Sequence, residues 1–208
     1  MAFEIINCEQ NTPEWYLARL GLPTASQFQC LLAKSAEQKG RATYMRQLAA
    51  EIITGEPTEN FKSPVLDRGH AMEDEARKSY AFTNDADPQL VGFIRSGAKG
   101  CSPDSLIGDD GMLEIKTKRA DLLIETIFKG EFPNEHKAQC QGALWIAERE
   151  WIDLIVYWPK MPSFVKRAYR DVAYIATLAR AVDEFNEELA GMVEKIRRVG
   201  TADVARAA

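Results

Sequence analysis

Apolar positions along the chain follow two periods, and the switches between them predict alternating helices and strands. Thr12-Pro13-Glu14 supplies a capping residue, a proline at the first helical position and an early acid, so Trp15, Leu17 and Leu20 should lie on a short helix ending at Gly21. Thr24-Ala25-Ser26-Gln27 has the Thr-x-x-Gln form of a capping box and predicts a second helix through Lys34, with Ser26 in its first turn. Tyr44, Met45, Leu48, Ile52 and Ile53 mark a helix over 41–54 that stops at Gly55. Ser63-Pro64 opens a longer one to about Phe82. Its apolar stripe is Val65, Met72, Ala76 and Tyr80, and Leu66, Gly69, His70, Glu73 and Arg77 share the neighbouring face. Helical spacing returns over 119–129, after the cap Asn134, and from Tyr174 to Val199. Strand patterning marks Gln89–Ile94, the two ends of Gly100–Lys116, Trp151–Trp158 and Phe164–Val172, the last two antiparallel across a proline-bounded turn. This alternation predicts an α/β fold with a mixed central sheet flanked by helices.

Composition narrows the picture. At 208 residues, with no Pro/Gly/Ser-rich linker, the chain should form one domain over 1–208. A hydrophobic content of 46% suffices for a sizeable core, no apolar run reaches membrane-spanning length, and the N-terminus lacks the pattern of a signal peptide, so a cytoplasmic protein with no membrane partner is expected. Cys8, Cys30, Cys101 and Cys140 are scattered, which suggests neither disulfides nor a zinc site. The net charge of −5 sits awkwardly with a nucleic-acid partner, although basic residues cluster at Lys34–Arg46, Lys116–Arg119 and Lys160–Arg170.

The chemistry concentrates in Gly100–Lys116. Gly108-Asp109-Asp110-Gly111 reads as the turn of a hairpin, and strand alternation then puts Glu114 and Lys116 on one side and Ile115 on the other, toward a core. Asp104, at the end of the preceding strand, can be brought beside them. Two carboxylates with an ammonium suit Mg²⁺ or Mn²⁺, which take hard oxygen ligands and keep positions open for a phosphate. An exposed Glu-x-Lys pair on a surface hairpin is the plain alternative. Glu73 borders an apolar stripe and needs a partner there, either a metal or Arg77. Arg19 and Ser26 beside a helix N-terminus form a candidate anion site. Gln141 is able to hold a phosphate or a water without competing for metal.

Pro103-Asp104 followed by Glu114-Ile115-Lys116 is the Pro-Asp…Glu-x-Lys pattern of the restriction-endonuclease-like nucleases. With Trp15-Tyr16-Leu17-Ala18-Arg19-Leu20-Gly21, Thr24-Ala25-Ser26, the run Gly69 to Arg77, Cys101-Ser102-Pro103-Asp104 and Ala138-Gln139-Cys140-Gln141 through Trp145, the chain resembles the phage lambda exonuclease or YqaJ viral recombinase family across most of 15–145. The strand pair and long helix over 151–200 fit in layout. The resemblance implies a restriction-endonuclease-like core and a metal-dependent exonuclease that degrades the 5′ strand of duplex DNA ends, releasing mononucleotides and leaving 3′ overhangs for phage-type recombination. It implies two Mg²⁺ per site, with Mn²⁺ as a substitute, held by Asp104, Glu114, Glu73 and the Ile115 carbonyl. Lys116 would orient or help deprotonate the attacking water. Arg19, Ser26, Ser102 and Gln141 would hold the terminal 5′-phosphate, and Leu66 would be the wedge that opens the last base pair. A ring-shaped homotrimer, a single-strand annealing protein as partner and a phage or prophage origin in a bacterial cytoplasm belong to the same expectation. A restriction-type endonuclease and an inactive DNA-end-binding module are the competing readings.

Overall fold

The computed structural model describes residues 3–32, 39–58 and 64–207, without the side chains of 64–71 and 200–207. It is organised around a five-stranded mixed sheet. In chain order the elements are β1 (Glu4–Ile6), α1 (Pro13–Ala18), α2 (Phe28–Leu31), α3 (Lys39–Thr54), α4 (Pro64–Asn84), β2 (Pro88–Gln89), β3 (Phe93–Arg95), β4 (Gly100–Cys101), β5 (Ser105–Ile107), β6 (Gly111–Thr117), α5 (Ala120–Lys129), α6 (Lys137–Ile146), β7 (Trp151–Tyr157), β8 (Phe164–Tyr169) and α7 (Val172–Ala207). The large sheet runs β2-β5-β6-β7-β8, and β1-β3-β4 form a small antiparallel sheet beside it. Among the described strands β6 and β7 are the parallel pair, because the chain between them returns through α5 and α6, as a parallel crossover requires.

Alternation along β6 and β7 sorts the residues between two packed layers. Met112 and Ile152 enter the main core with α2, α3, α6 and α7. Leu113, Ile115, Ile155 and Tyr157 point the other way and pack on Met72, Ala76 and Tyr80 of α4. Glu114 and Lys116 therefore lie on the α6 side of the sheet, and α4 covers the opposite side.

Several expected elements appear with altered ends. The stretch 89–94 is two strands rather than one, β2 in the large sheet and β3 in the small. Between them Gly92 passes so close to the β1 segment that a Cβ there would lie 2.3 Å from the Cys8 carbonyl oxygen. Thr24 makes no capping bond. Its hydroxyl is drawn to neighbouring side chains, and the chain starts with a 3-10 turn, Ala25–Gln27, before the single turn of α2. Lys34 falls outside the described residues. Thr12 does cap α1, accepting from the Trp15 N–H at 3.4 Å. Gly55, with φ +72°, follows the end of α3. Among the described residues no helix is long and apolar enough to cross a membrane.

Candidate active site

The β5–β6 hairpin forms around the expected turn, with Ser105 opposite Leu113 and Ile107 opposite Gly111, but its first strand begins only at Ser105, and the start of the stretch, Gly100–Cys101, is β4 of the small sheet. Asp104 sits in the bend just before β5, not on a strand, and this frees its side chain to turn along the hairpin. Its Oδ2 accepts the Ile115 N–H at 2.5 Å. Glu114 is only 3% exposed. Its Oε1 accepts from Lys116 Nζ at 2.7 Å and from Gln139 Nε2 at 2.5 Å, the latter reaching down from α6. Burial, then the nearby Glu114 charge, hold the Asp104 carboxyl well above its ordinary range, and Glu73 adds to the effect. Burial alone would lower the Lys116 pKa, but the Glu114 and Asp104 charges outweigh it and hold the ammonium protonated.

Glu73 arrives from the opposite side of the sheet, on α4, and lines a cavity of about 400 Å³ with Arg77, Leu90 and Asp104. Arg77 Nε donates to Ser105 Oγ at 3.0 Å and Ser105 Oγ to the Asp104 carbonyl at 2.5 Å, so α4 is tied to the bend that carries Asp104. Among the described residues no three His, Cys, Asp or Glu side chains form a ready-made ligand cluster. The donor set nevertheless suits a hard cation. Asp104 feels the charges of Glu114, Glu73 and Lys116, and its Oδ2 and Glu114 Oε1 are committed to the protein, which leaves Asp104 Oδ1 and Glu114 Oε2 as donor oxygens.

A second cavity, of about 170 Å³, opens on the other side of Asp104's bend. Arg19, Ser26, Ser102, Glu114, Gln139 and Gln10 are among its lining residues. Local contacts explain how positions so far apart in sequence meet. Gly100 N donates to the Pro23 carbonyl at 3.1 Å, docking β4 beside the 3-10 turn that carries Ser26. Trp15 Nε1 donates to Ser102 Oγ at 2.8 Å. The Arg19 guanidinium lies 3.9 Å over the Trp15 ring and donates to Thr24 Oγ1 at 3.3 Å, which in turn lies 3.2 Å from Ser26 Oγ. Burial pulls the Arg19 pKa below its usual value, partly offset by Tyr44 and Glu51.

Gln141 is not part of this group. Its Nε2 donates to the Tyr169 carbonyl at 2.8 Å and its Oε1 accepts the Asp171 N–H at 2.8 Å, so it fastens α6 to the β8–α7 junction. Two residues apart on a helix point to nearly opposite sides, and here Gln139 is the one facing the cavity. Leu66 lies on α4, but its side chain, like that of His70, is outside the described residues.

Comparison with known proteins decides the family. Residues 14–150, more than half the chain, match the model of the YqaJ-like viral recombinase domain. The chain belongs to the YqaJ-like viral recombinase family. Among solved structures it is similar to an alkaline exonuclease from Laribacter hongkongensis, LHK-Exo, with 32% identity and a TM-score of 0.83 over 95% of this chain and 100% of that one. The same protein crystallised in complex with dAMP superposes equally well. A phage-related exonuclease from Haemophilus somnus shares the fold, at 12% identity and a TM-score of 0.64, over 84% of this chain and 96% of that one. No curated protein sequence matches. The YqaJ-like match ends at residue 150, while the structural likeness extends over nearly the whole chain, so β7, β8 and α7 belong to the same fold as the motif-bearing part.

Gln10 and Gln139 are among the cavity residues outside the expected site. Gln139 lay within a quoted motif, two places from the glutamine chosen. Gln10 sits in a turn between predicted elements and carried no periodic signal.

Proposed function

We propose that this YqaJ-like nuclease is a 5′-to-3′ exonuclease of double-stranded DNA ends that depends on Mg²⁺, with Mn²⁺ as a substitute, and that it releases mononucleotides and leaves 3′ single-stranded overhangs. The observation that carries the reading is the small cavity lined by Arg19, Ser26 and Ser102 with Glu114 in the same wall. A small pocket bearing a guanidinium and two hydroxyls suits a terminal phosphate, and Glu114 in its wall makes cleavage a fixed distance from an end the natural reaction. The dAMP bound by LHK-Exo, a deoxynucleoside monophosphate, supports the product assignment.

Asp104, Glu114 and the Ile115 carbonyl would hold one cation, and Glu73 with Asp104 a second. When bound, such ions lower the pKa of a coordinated water and stabilise the charge of an in-line displacement at phosphorus. The protein's own groups do the rest. Arg19, Ser26 and Ser102 hold the terminal phosphate, and their position sets which phosphodiester meets the carboxylates. Lys116, kept charged by Glu114 and Asp104, donates to the attacking water and to the phosphate oxygen rather than serving as a base. Gln139 keeps Glu114 in its rotamer. By family likeness the working form is a toroidal homotrimer that passes its 3′ tails to a single-strand annealing protein.

The direct test is digestion of linear duplex DNA, labelled separately at each 5′ and 3′ end, with covalently closed circles as control. Loss of the 5′ strand alone, dependent on Mg²⁺ and absent on circles, is expected. Cutting of the circles would instead assign an endonuclease, and end binding with no cleavage a binding module. Light scattering should return three times the monomer mass.

A further inference from the structure

We infer that Gln10 is a positioning residue for Asp104 and forms the partition between the phosphate cavity and the carboxylate cavity. It is the residue, with Asp104's bend, around which the two cavities meet, since its side chain lines both. The inference rests on the nuclease reading above and deepens it.

The geometry is specific. Gln10 Nε2 donates to the Val91 carbonyl at 2.9 Å and to the Pro103 carbonyl at 3.1 Å, so one primary amide spends both hydrogens on two segments remote in sequence. Pro103 is the residue immediately before Asp104, and its carbonyl belongs to the peptide that leads into the bend. Val91 leads into the Gly92 crossing between the sheets. The turn that presents Gln10 is itself locked. Thr12 Oγ1 donates to the Glu9 carbonyl at 2.7 Å, and Asn11 takes the left-handed conformation, φ +67°, which asparagine tolerates better than most residues. Trp15, one turn later, holds the adjacent Ser102 through its indole N–H. The N-terminal turn and α1 therefore grip Ser102 and Pro103 side by side, in the wall of the smaller cavity and directly before Asp104, which lines the larger one.

Asp104 is fixed on its other side by α4, through the Arg77–Ser105–Asp104 chain, and at its carboxylate by Ile115 N–H. Removing the Gln10 donors leaves the Pro103 carbonyl without this bond and relaxes one of the two backbone restraints on the bend that presents the Asp104 carboxylate. Partners of this kind, which orient a ligand without touching the ion, are typically worth about 10- to 100-fold in metal affinity or activity. Binding of the terminal phosphate, set by Arg19, Ser26 and Ser102, should change little.

The test uses full-length Gln10→Met and Gln10→Leu, which remove the side chain's donors and add no charge beside the carboxylates. Mg²⁺ affinity is measured by calorimetry on the protein alone, kcat and KM on 5′-phosphorylated linear duplex, and end binding in chelator counts correctly folded sites. Expected is a fall of about 10-fold or more in Mg²⁺ affinity or kcat, with KM, chelator end binding and the 5′-phosphate preference within about twofold of wild type. If Gln10→Met fails to fold, the smaller uncharged Gln10→Leu decides. Wild-type metal affinity and kcat in the folded variants would overturn the inference. So would parallel losses of kcat, end binding and phosphate preference, or a failure of both variants to fold, since each assigns Gln10 a general structural role. A wild-type protein that cleaves no DNA would instead remove the nuclease reading on which the kinetic arm depends.

Discussion

Lys116, half-buried, pairs with the buried Glu114, and both side chains stand on a central strand of the sheet. Lys116→Ala should therefore leave the fold and the phosphate cavity in place while removing the donor to the reacting phosphate, with a loss of about 10²–10³ in kcat. Retained end binding in chelator checks that the site survives, and cleavage within a few-fold of wild type would sink the role given to Lys116. Arg19 is a different case, because its charge faces the cavity that precedes the chemistry. Arg19→Ala should cost a charge-assisted bond to phosphate, about tenfold or more in preference for 5′-phosphorylated over 5′-hydroxyl ends. A variant that still distinguishes the two ends would move the phosphate elsewhere. His136, in the 3-10 turn before α6, offers a pH handle outside the carboxylate group. Its Nε2 is buried with no hydrogen-bond partner among the described residues, 4.0 Å from Glu135 Oε1, and burial, then the Lys116 charge, hold the imidazole pKa down at about 4 against the opposing pull of Glu135. Between that value and the ordinary one near 6.5, the unfolded chain takes up a proton that the folded chain refuses, so stability is lost as pH falls through that window. His136→Gln should flatten the fall, read as a smaller difference between denaturant midpoints at pH 7.5 and pH 5. An unchanged pH slope would show that the imidazole is not responsible.

The element that brings Glu73 to the site is α4, and its attachment to the sheet is polar as well as apolar. Tyr80 OH donates to Asp153 Oδ2 at 2.6 Å, while Arg167 from β8 pairs with the same carboxylate through two bonds of 2.8 Å and stacks 3.7 Å over Trp151. Asp153 is 3% exposed, so each bond offsets the cost of burying its charge. Tyr80→Phe should lower stability by about 1–3 kcal/mol, which thermal melting reads as roughly 2–4 °C per kcal/mol for a chain of this size. The chemistry should be spared, because Tyr80 lies well down the helix from Glu73. How much was legible in the sequence also differs by element. The α4 stripe, the parallel β6 and β7 core runs and the hairpin turn could be read because periodicity is enforced wherever one face is buried. The Glu114–Lys116 pairing followed from strand alternation alone. The choice of Gln141 over Gln139 did not, because helix phase at the site depends on where α6 docks, and that is set by contacts distant in sequence. The split of 89–94 was hidden for the same reason, its cause being the backbone of the β1 segment against Gly92. The Thr24 cap was displaced by side-chain competition from Arg19 and Ser26 that local propensity does not register. Gln10 acts through bonds to residues 81 and 93 positions away, which no local pattern encodes.

At the scale of the whole molecule the charge balance must be reconciled with a polyanionic substrate. A chain of net charge −5 gains little from general electrostatic attraction to DNA, and within the proposed phosphate cavity Arg19 is the cationic side chain among the described lining residues. An open surface holding DNA by ion pairs alone would lose duplex steeply with salt, by about 0.9 in log–log slope for each phosphate neutralised. Enclosure by a ring changes the problem from affinity to topology, since a threaded duplex leaves only by sliding off an end. The proposed toroid therefore predicts two salt responses from one protein. Loading onto free ends in chelator should be salt-sensitive. Once loaded, and with the ends then blocked by a bulky protein, the complex should persist through a jump to high salt, until a restriction cut releases it. Immediate loss of the end-blocked complex at high salt would reject encirclement and leave the acidic charge to be explained by an open, weakly gripping enzyme. Persistence, together with cleavage confined to linear DNA, would tie the charge, the ring and the end-directed cavity into one mechanism.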